Sequence, residues 1–319
     1  MRTDDGASRT ERVYAVVVTF NPDIEVLHRL LQRLKGQVAG TIVVDNHSQN
    51  CREFNDVGSL DNDLEIITLP ENLGLGRAHN LGVARARERG GSHVLILDQD
   101  SIPSEGMVIQ LTQVARVIVS EKKKLAAVGS RYVGTHAGND SFFVQFGALK
   151  FKRVFCADQR RGARFVQADF LISSGTLFPL STLKEVGGMD EGLFIDHVDT
   201  EWFLRANHVG YYSYGACDAL MEHGLGEDTI RIWLGRWRYV PRHQPFRYYY
   251  MFRNSILLYK REYAPARWIW NDMLRLAFIF VVFGLFSMRR IEHIKMMWRG
   301  TVDGIHGVTG GPVLPARSS

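Results

Sequence analysis

Apolar residues in the first hundred positions alternate between continuous runs and helical spacing. Runs at Val13–Phe20 and Thr41–Val44, rich in β-branched and aromatic residues, predict strands buried on both faces. Between them, apolar residues recur every three or four positions from Ile24 to Leu34, which predicts an amphipathic helix. Two further strands, about Leu64–Leu69 and His93–Leu97, flank a helix rich in Ala and Arg. This alternation predicts an α/β fold with a Rossmann-like, mostly parallel sheet and helices on both faces.

Polar residues follow each of the four predicted strands. Asn21, Asp45, Asn72 and Asp98–Asp100 all stand at or just beyond a strand's carboxyl end. Because ligands of open α/β sheets bind outside the carboxyl ends of the strands, we expect these residues to meet at one site.

The pattern becomes less regular after Lys124. Short aromatic strands at Phe142–Phe146 and Leu149–Phe155 indicate the second half of a mixed sheet. The segment Phe194–Ala206 (FIDHVDTEWFLRA) is typical of a loop that runs into an amphipathic helix, with acidic residues at its start. The polar tails, residues 1–11 and 309–319, are expected to be disordered.

Charge divides the chain into two parts. The segment Arg231–Arg299 holds 14 Lys/Arg against 3 Asp/Glu, a net +11, whereas the rest holds 25 against 31, a net −6. The basic segment also contains five of the six tryptophans, a mixture that favours a lipid headgroup interface, with nucleic acid as the alternative partner. We therefore expect the α/β domain to cover residues 12–230 and a basic, aromatic helical region over residues 231–308 to associate with a membrane.

Three further features concern location. The 13 uncharged residues between Arg275 and Arg289 are fewer than the roughly 20 that a membrane-spanning helix needs, and their charged flanks favour an interfacial helix over a buried one. Cys51, Cys156 and Cys217 lie too far apart in sequence to suggest a disulfide framework or a zinc site. The polar N-terminus resembles no signal peptide, so the expected location is cytoplasmic, peripheral on the inner membrane.

The pair Asp98 and Asp100 is the strongest indication of chemistry. Two carboxylates that project from a strand end can share a hard divalent cation with phosphate oxygens. The same spacing recurs in Asp61-Asn62-Asp63, which stands in a polar turn and is interpreted as solvated surface. Plain turn chemistry is the alternative for the first pair as well.

The segment Asn72–Asn80 (NLGLGRAHN) precedes a helix with two glycines. Glycines before a helix let the backbone approach an anion at the helix N-terminus, although a plain tight turn has the same composition. A dinucleotide fingerprint is excluded, because the third glycine is missing and the segment follows the third strand rather than the first.

Several acids and bases near the second half of the chain are candidates. Asp196, Asp199 and Glu201 fall within six residues, so mutual repulsion and burial would leave one carboxylate basic enough to act as a general base. Their alternative role is to complement the helix dipole. A lone histidine such as His223 is more often structural than a ligand. The fork of Arg253 suits a diphosphate, although single arginines in so basic a segment carry little weight.

Seven motifs in order resemble glycosyltransferase family 2. They are VVVTFNP, VVDNHS, ENLGLGRAHN, LILDQDS, LISSGTLF, FIDHVDTEW and the RN of YYYMFRN, over about Val13–Asn254. The resemblance is strongest to the family's bacterial rhamnosyltransferases and implies a GT-A fold. It implies inverting transfer of L-rhamnose from dTDP-L-rhamnose to a hydroxyl of a glycan or glycolipid acceptor in polysaccharide or lipopolysaccharide synthesis. A UDP-hexose or galactofuranose donor is the alternative.

The resemblance also implies roles for individual residues. Asp199 matches the catalytic base and Glu201 a supporting carboxylate near the acceptor. Many relatives carry an acid directly before the base, whereas His197-Val198 stand here, so Asp196 remains a rival. A divalent metal, Mg²⁺ or Mn²⁺, would be bound by Asp98, Asp100 and His223. The implied donor-binding residues are Thr19, Phe20, Asn21, Pro22, Asp45, Asn72, Gly76, Arg77, Asp98, Ser174, Gly175 and Arg253.

Two other classes of function compete with this interpretation. The +11 segment would suit a non-enzymatic module that binds a nucleotide or nucleic acid. A sugar-nucleotide-forming nucleotidyltransferase would need a glycine-rich loop with Lys or Arg after the first strand, and Asn21-Pro22-Asp23 is not such a loop. The expected partners are therefore a nucleotide-sugar donor, a glycan or lipid-linked acceptor and an anionic membrane surface, without nucleic acid.

Overall fold

The computed structural model describes residues 11–51, 63–133, 141–147, 151–156, 164–223, 229–233, 237–287 and 289–311. The strands are β1 Val13–Thr19, β2 Gly40–Asp45, β3 Leu64–Thr68, β4 His93–Asp98, β5 Ser101–Pro103, β6 Leu125–Val133, β7 Phe143–Phe146, β8 Phe151–Val154, β9 Phe165–Ala168, β10 Thr176–Pro179, β11 Tyr212–His223, β12 Thr229–Trp233 and β13 Trp237–Pro241. The helices are α1 Ile24–Leu34, α2 Leu75–Glu88, α3 Met107–Ser120, α4 Leu180–Val186, α5 Val198–His208, α6 Pro245–Tyr259, α7 Ala266–Phe286 and α8 Arg290–His306, with a 3₁₀ turn at Glu191–Leu193. Most of the predicted tails, and Asp61 and Asn62 of the polar turn, lie outside the described residues.

Nine strands form the central sheet. Their order is β3-β2-β1-β4-β10-β6-β11-β5, and β9 pairs with β11. Strands β1 to β4 are parallel, whereas β10 runs antiparallel to β4 and β6. The predicted parallel half and mixed half of the sheet are both confirmed.

Strand β1 is buried on both faces because its side chains contact different helices. Its odd-numbered residues from Val13 to Val17 pack in a cluster with α1 and α3. Its even-numbered residues from Tyr14 to Val18 pack in a second cluster with α2, α4 and α5. Side chains alternate between the two faces of a strand, so a continuous apolar run is what a sheet covered on both sides requires.

Two pairs of short strands differ from the prediction. Strands β7 and β8 form a two-stranded sheet of their own and do not join the central sheet. The predicted helical region from residue 231 begins with another hairpin, β12 and β13, and becomes helical only at Pro245. Period-two alternation in TIRIW and WRYV explains this second hairpin.

Cys156 and Cys217 form a disulfide although they stand 61 residues apart. The expectation of no disulfide was therefore wrong for this pair. Strand β9 pairs antiparallel with β11, and the segment before β9 is thereby brought beside Cys217. Strand pairing of this kind is invisible in cysteine spacing alone.

The C-terminal region consists of α6, α7 and α8. Helix α7 is 21 residues long because it begins at Ala266, well before the 13-residue apolar stretch. By length and composition it is the one helix among the described residues that is suited to crossing a membrane, and 28% of its apolar window is buried in the protein. Its outer face exposes large apolar side chains, including Trp270, Leu285 and Phe286.

Candidate active site

The loops after β1, β2 and β4 are joined by hydrogen bonds at one edge of the sheet. The amide of Phe20 donates to Oε1 of Gln99 (2.7 Å), and the amide of Asn21 donates to Oγ of Ser48 (2.8 Å). The amide of Asn46 donates to the carbonyl of Thr19 (2.8 Å). The predicted convergence is confirmed for these three strand ends, and Ser48 joins it although the sequence analysis did not single it out.

Two of the residues predicted to bind the sugar donor lie beneath this edge of the sheet and are inaccessible to a ligand. Thr19 and Asp45 are fully buried, and Oγ1 of Thr19 donates to Oδ1 of Asp45 (3.1 Å). The amide and hydroxyl of Ser48 also donate to the Asp45 carboxylate. Phe20 and Asn21 are exposed, whereas Pro22 is buried. Among these residues Phe20 and Asn21 are therefore the ones accessible to a ligand.

The loop before α2 is built around the side chain of Asn72. Its Oδ1 accepts hydrogen bonds from Nδ2 of Asn46 (2.9 Å) and from the amide of Gly74 (3.0 Å). Oδ1 of Asn46 in turn accepts the amide of Leu73 (2.9 Å). The half-buried Asn72 thus ties the end of β3 to the end of β2.

Gly76 is packed against a neighbouring loop, whereas Arg77 is exposed and paired with an acid. A Cβ on Gly76 would lie 2.9 Å from the carbonyl oxygen of Asp190, so this glycine admits a neighbouring loop. Arg77 forms an ion pair with Glu191 (3.0 Å). The amide of Leu75, in the first turn of α2, donates to the carbonyl of Phe194 (2.6 Å). The predicted donor contact of Gly76 is corrected, because the loop before α5 occupies this end of the helix, whereas that of Arg77 stays a prediction.

Ser174 and Gly175 lie next to the end of β4, where the loop of Asp98–Asp100, here called the acidic loop, begins. Oγ of Ser174 accepts the amide of Asp98 (2.9 Å) and donates to Oγ of Ser101 (2.8 Å). Gly175 has φ +69°, and a Cβ there would lie 2.2 Å from Oγ of Ser130. Ser174 is bonded to the acidic loop and Gly175 is packed against Ser130 and Met221, so they shape the site without lining an open surface.

Tyr132 lies where three acidic residues converge. Its hydroxyl donates to the carbonyl of Ser174 (2.7 Å). Burial, and then the negative charges of Asp98, Asp199 and Asp100, raise the pKa of this hydroxyl well above its ordinary value. Strand-end acids and the helix-start acid predicted from sequence therefore meet around one side chain that the sequence did not reveal. Its position at the end of β6, a strand of the central sheet, is the signal that would have found it.

Asp199 stands in the first turn of α5. Its Oδ1 accepts the amide of Thr200 (2.7 Å), and its Oδ2 accepts the amide of Ser173 (3.4 Å). Burial raises the pKa of the carboxyl above its ordinary value, and the charge of Asp196 adds to this, while the backbone amides oppose it. A carboxylate with a raised pKa is suited to accept a proton at neutral pH.

Asp196 and Glu201 are neutralised by other partners. Asp196 forms an ion pair with Arg247 (2.7 Å). Glu201 is buried and accepts two bonds from Arg205 (2.8 and 2.9 Å) and one from the hydroxyl of Tyr263 (2.6 Å). The structure thus assigns Glu201 to anchoring α5, which corrects its predicted place beside the acceptor.

Arg253 is fully buried, which contradicts its predicted contact with a diphosphate. Its guanidinium donates to the carbonyls of Leu193 (2.9 Å) and Gly192 (3.2 Å) and to that of Gly310. It also lies over the ring of Tyr250, 4.7 Å from the centroid. The aromatic run before it in the sequence marks a buried helix, and Arg253 shares that burial.

Asp98 and Asp100 fit a divalent cation that takes its remaining ligands from phosphate. Both are half-buried beside Tyr132 and offer hard oxygen ligands. Among the described residues no group of three His, Cys, Asp or Glu forms a closed metal site. The side chain of His223 lies outside the described part, but its backbone pairs with Ser101, one residue from Asp100.

A cavity of about 350 Å³ opens next to Tyr132 and the segment before Ser173. Aromatic and aliphatic residues dominate its lining, which includes Phe142, Phe170 and Ile172. Arg131 also lines it, and the buried Nε of this residue has no hydrogen-bond partner among the described residues. Because the amide of Ser173 bonds Asp199, this cavity lies next to the raised-pKa carboxylate.

Comparison with known families and sequences gives one consistent result. Residues 14–174 match the family described as glycosyl transferase family 2. The chain is 29% identical over 315 residues to the dTDP-rhamnosyl transferase RfbF of Shigella flexneri. The alignment covers 94% of this chain and 97% of that protein.

Solved structures share the fold at low sequence identity. TarS residues 1–349 of S. aureus, crystallised with UDP-GlcNAc, superimpose with a TM-score of 0.57 at 17% identity over 93% of this chain and 81% of that one. GalNAc-T7, crystallised with UDP, GalNAc and Mn²⁺, gives a TM-score of 0.57 at 14% identity. The match covers 68% of this chain and 44% of the length of GalNAc-T7.

Proposed function

The chain belongs to glycosyltransferase family 2, and on that premise we propose that it transfers L-rhamnose from dTDP-L-rhamnose to a hydroxyl of a glycan or lipid-linked acceptor. The observation that carries the transferase chemistry is the convergence of the acids on Ser173 and Ser174. The amide of Asp98 and the hydroxyl of Tyr132 bond to Ser174, and Asp199 accepts the amide of Ser173. Asp100 stands next to Ser101, which also bonds to Ser174. The donor is supported by the nearly full-length similarity to a dTDP-rhamnosyl transferase. The acceptor is a precursor of a cell-surface polysaccharide or lipopolysaccharide.

Asp199 acts as the general base in this proposal. It takes the proton of the acceptor hydroxyl as the oxygen attacks the anomeric carbon from the face opposite the diphosphate. A new glycosidic bond forms, the bond from the anomeric carbon to the diphosphate oxygen breaks, and dTDP leaves with the bonding electrons. The backbone amides of Ser173 and Thr200 hold both carboxylate oxygens in place, which fixes the direction of proton transfer.

Asp98 and Asp100 would hold the divalent cation, Mg²⁺ or Mn²⁺. Such a cation supplies positive charge that stabilises the leaving diphosphate. The hydrogen bond from the Asp98 amide to Ser174, and that from the Phe20 amide to Gln99, keep this acidic loop against the donor edge of the sheet. Phe20 and Asn21 are the accessible side chains there and would contact the nucleoside.

The acceptor is proposed to enter through the cavity beside Tyr132. Its aromatic lining, with Phe142 and Phe170, suits the apolar faces of a sugar ring, and Arg131 offers a donor for its oxygens. We propose that the enzyme acts while it is bound to the cytoplasmic face of an anionic inner membrane. The exposed apolar face of α7 and the basic residues around it support this location.

Thermal unfolding with a panel of nucleotide sugars tests this function. We expect dTDP-rhamnose with Mg²⁺ or Mn²⁺ at about a hundredfold excess over Kd to raise the Tm by about 5 °C or more. UDP-glucose, UDP-N-acetylglucosamine and UDP-galactofuranose should raise it less. Asp100→Asn should remove the metal-dependent part of the shift, whereas the exposed Asp63→Asn, taken from the polar turn, should retain it.

Two results would contradict the proposal. A larger shift with a UDP-sugar would replace rhamnose by that sugar as the donor. The absence of any shift in folded protein, together with salt-sensitive RNA or DNA binding, would favour the nucleic-acid module.

A further inference from the structure

Helix α6 contacts the loop that precedes the proposed base. Nδ2 of Asn254 donates to three backbone carbonyls, those of Leu193 (2.9 Å), Ile195 (2.7 Å) and Asp196 (2.8 Å). Asn254 is fully buried, so these bonds are shielded from water. One amide group thus holds a four-residue stretch that ends two residues before α5 begins.

Arg253 completes the same contact. Its Nε donates to Oδ1 of Asn254 (2.9 Å), which orients the amide toward the loop. Its other nitrogens donate to the carbonyls of Gly192, Leu193 and Gly310. Because the guanidinium is buried and already paired with backbone oxygens, a diphosphate has no access to it.

The loop held by this pair has an unfavourable backbone conformation. Phe194, Asp196 and His197 have φ values of 65°, 59° and 62°, in the left-handed region that residues other than glycine avoid. Such conformations persist only where surrounding contacts fix them, and they concentrate at functional sites. Here the sharp turn brings Val198 and Asp199 into the first turn of α5.

Further bonds from the C-terminal helices reach the end of the same loop. Nε2 of His197 contacts Oγ of Ser255 (3.0 Å) and Nη2 of Arg275 (2.9 Å). Arg247 of α6 pairs with Asp196. These contacts come from α6 and α7, so the C-terminal region and the proposed base are linked through one loop.

We propose that Arg253 and Asn254 are positioning residues, which hold Gly192–His197 in its strained conformation and thereby aim Asp199 at the acceptor. This inference rests on the proposed function only in taking Asp199 as the base. Misplacing a reacting group by about 1 Å is enough to slow an enzymatic reaction about 100-fold, so small movements of this loop matter.

Asn254→Ala tests the proposal against a matched control. Asn271 is another buried asparagine of the C-terminal helices, but its amide donates within α7 to the carbonyl of Arg267 (2.6 Å) and does not touch the loop. We would measure the hydrogen-exchange rates of residues 192–198 and the rise in Tm caused by dTDP with Mn²⁺. We would also measure kcat and KM for rhamnosyl transfer. We expect Asn254→Ala to speed exchange at least about tenfold and to lower kcat about 100-fold. Donor stabilisation and donor KM should stay within about twofold, and Asn271→Ala should resemble the wild type.

Two further variants guard against unfolding and separate the two possible roles of Arg253. Ser255→Ala removes one bond to His197 and should give a smaller decrease in kcat in stable protein. Arg253→Lys retains the positive charge but loses the forked contacts. A positioning role predicts a lower kcat with unchanged stabilisation by dTDP, whereas a diphosphate contact predicts weaker stabilisation.

Several outcomes would overturn the proposal. Unchanged exchange in Asn254→Ala would show that the amide does not hold the loop. Faster exchange with a normal kcat would show that the loop does not position the base. If the wild type transferred no rhamnose, the proposed function would fail. Hydrogen exchange would still decide whether Asn254 holds the loop, and stabilisation by dTDP would still decide whether Arg253 contacts the diphosphate.

Discussion

Three acids within six residues have three different surroundings at the start of α5. Asp196 is paired with Arg247, and Glu201 is paired with Arg205 and Tyr263. Among the described residues, Asp199 accepts hydrogen bonds from backbone amides alone, and burial raises its pKa. A group that is to accept a proton gains from the absence of a neighbouring cation, because an ion pair would lower its basicity.

Asp199→Asn should therefore lower kcat about 10²- to 10⁴-fold, the usual contribution of a general base. Donor stabilisation should remain, since the amide keeps the shape of the carboxylate. Asp196→Asn removes one partner of Arg247 and should lower kcat less, through the loop alone. Initial rates of dTDP release with acceptor, compared with thermal shifts by dTDP, measure both effects. Normal transfer by Asp199→Asn, combined with its loss in Asp196→Asn, would reverse the assignment.

Individual acids of the site could be predicted from sequence, but their partners could not. Strand ends marked Asp98 and Asp100, and a helix start marked Asp199. Glu201 and Arg205 stand at i, i+4 spacing, a signal of a structural ion pair that the sequence analysis did not use. Arg247 and Tyr263 stand some fifty or sixty residues away from the acids they bind, so only the folded chain brings them together.

Helix α2 carries a buried polar side chain with no function in the site. Both ring nitrogens of His79 lack hydrogen-bond partners among the described residues, and the side chain is fully buried. Burial lowers its pKa to about 4 from the ordinary 6.5. The residue lies in the glycine-containing segment NLGLGRAHN, which the sequence analysis connected with ligand binding. The structure instead buries its side chain completely.

The lowered pKa predicts an acid-sensitive contribution to stability. Unfolded protein binds a proton at His79 below about pH 6.5, whereas the folded protein does so only near pH 4, so the free energy of unfolding falls as pH drops across this window. Because the two pKa values differ by about 2.5, His79→Leu should make the decrease in unfolding free energy between pH 7 and pH 4 smaller by about 3 kcal/mol. At pH 7 it should be at least as stable, because an unpaired polar group is removed.

Urea unfolding at pH 7, 6, 5 and 4 would measure this difference. His197, whose pKa burial also lowers to about 4, is present in both proteins and provides a common background. Parallel pH curves for the wild type and His79→Leu would show that His79 does not resist protonation in the folded protein.

At the scale of elements, long periodic segments were predicted well and short ones poorly. Strands β1, β2 and β4 and helix α1 have apolar patterns set by burial on known faces. Strands β7 and β8 are four residues each, and nothing in their sequence states which sheet they join. The glycines at the start of α2 were correctly associated with a close approach, which Phe194 makes to Gly74 and Asp190 makes to Gly76.

In the whole molecule, helices α6 and α7 of the basic C-terminal region contact the loop that precedes α5. Helix α7, which contacts this loop through Arg275, and helix α8 also present large exposed apolar residues. On α7, Trp270, Leu274, Val281 and Leu285 follow helical spacing, and on α8, Ile291, Trp298 and Ile305 recur every seven residues. A surface that docks on lipid would therefore lie on the elements that position the proposed base.

Binding to lipid vesicles tests this surface as a whole. Replacing Leu274, Val281 and Leu285 of α7 by Ser removes three side chains that are between 48 and 65% exposed. Each leucine or valine contributes roughly 1 kcal/mol when it is buried in lipid only in part, so binding to phosphatidylglycerol vesicles should fall about 100-fold. The matched control replaces Ile109, Val117 and Val119 of α3, which are between 41 and 59% exposed, and should bind as the wild type does.

Because basic residues flank α7, wild-type binding should also weaken in uncharged vesicles or at high salt. Equal vesicle binding by all three proteins would exclude α7 as the docking surface, and tighter binding to RNA than to anionic vesicles would assign the positive charge to nucleic acid instead.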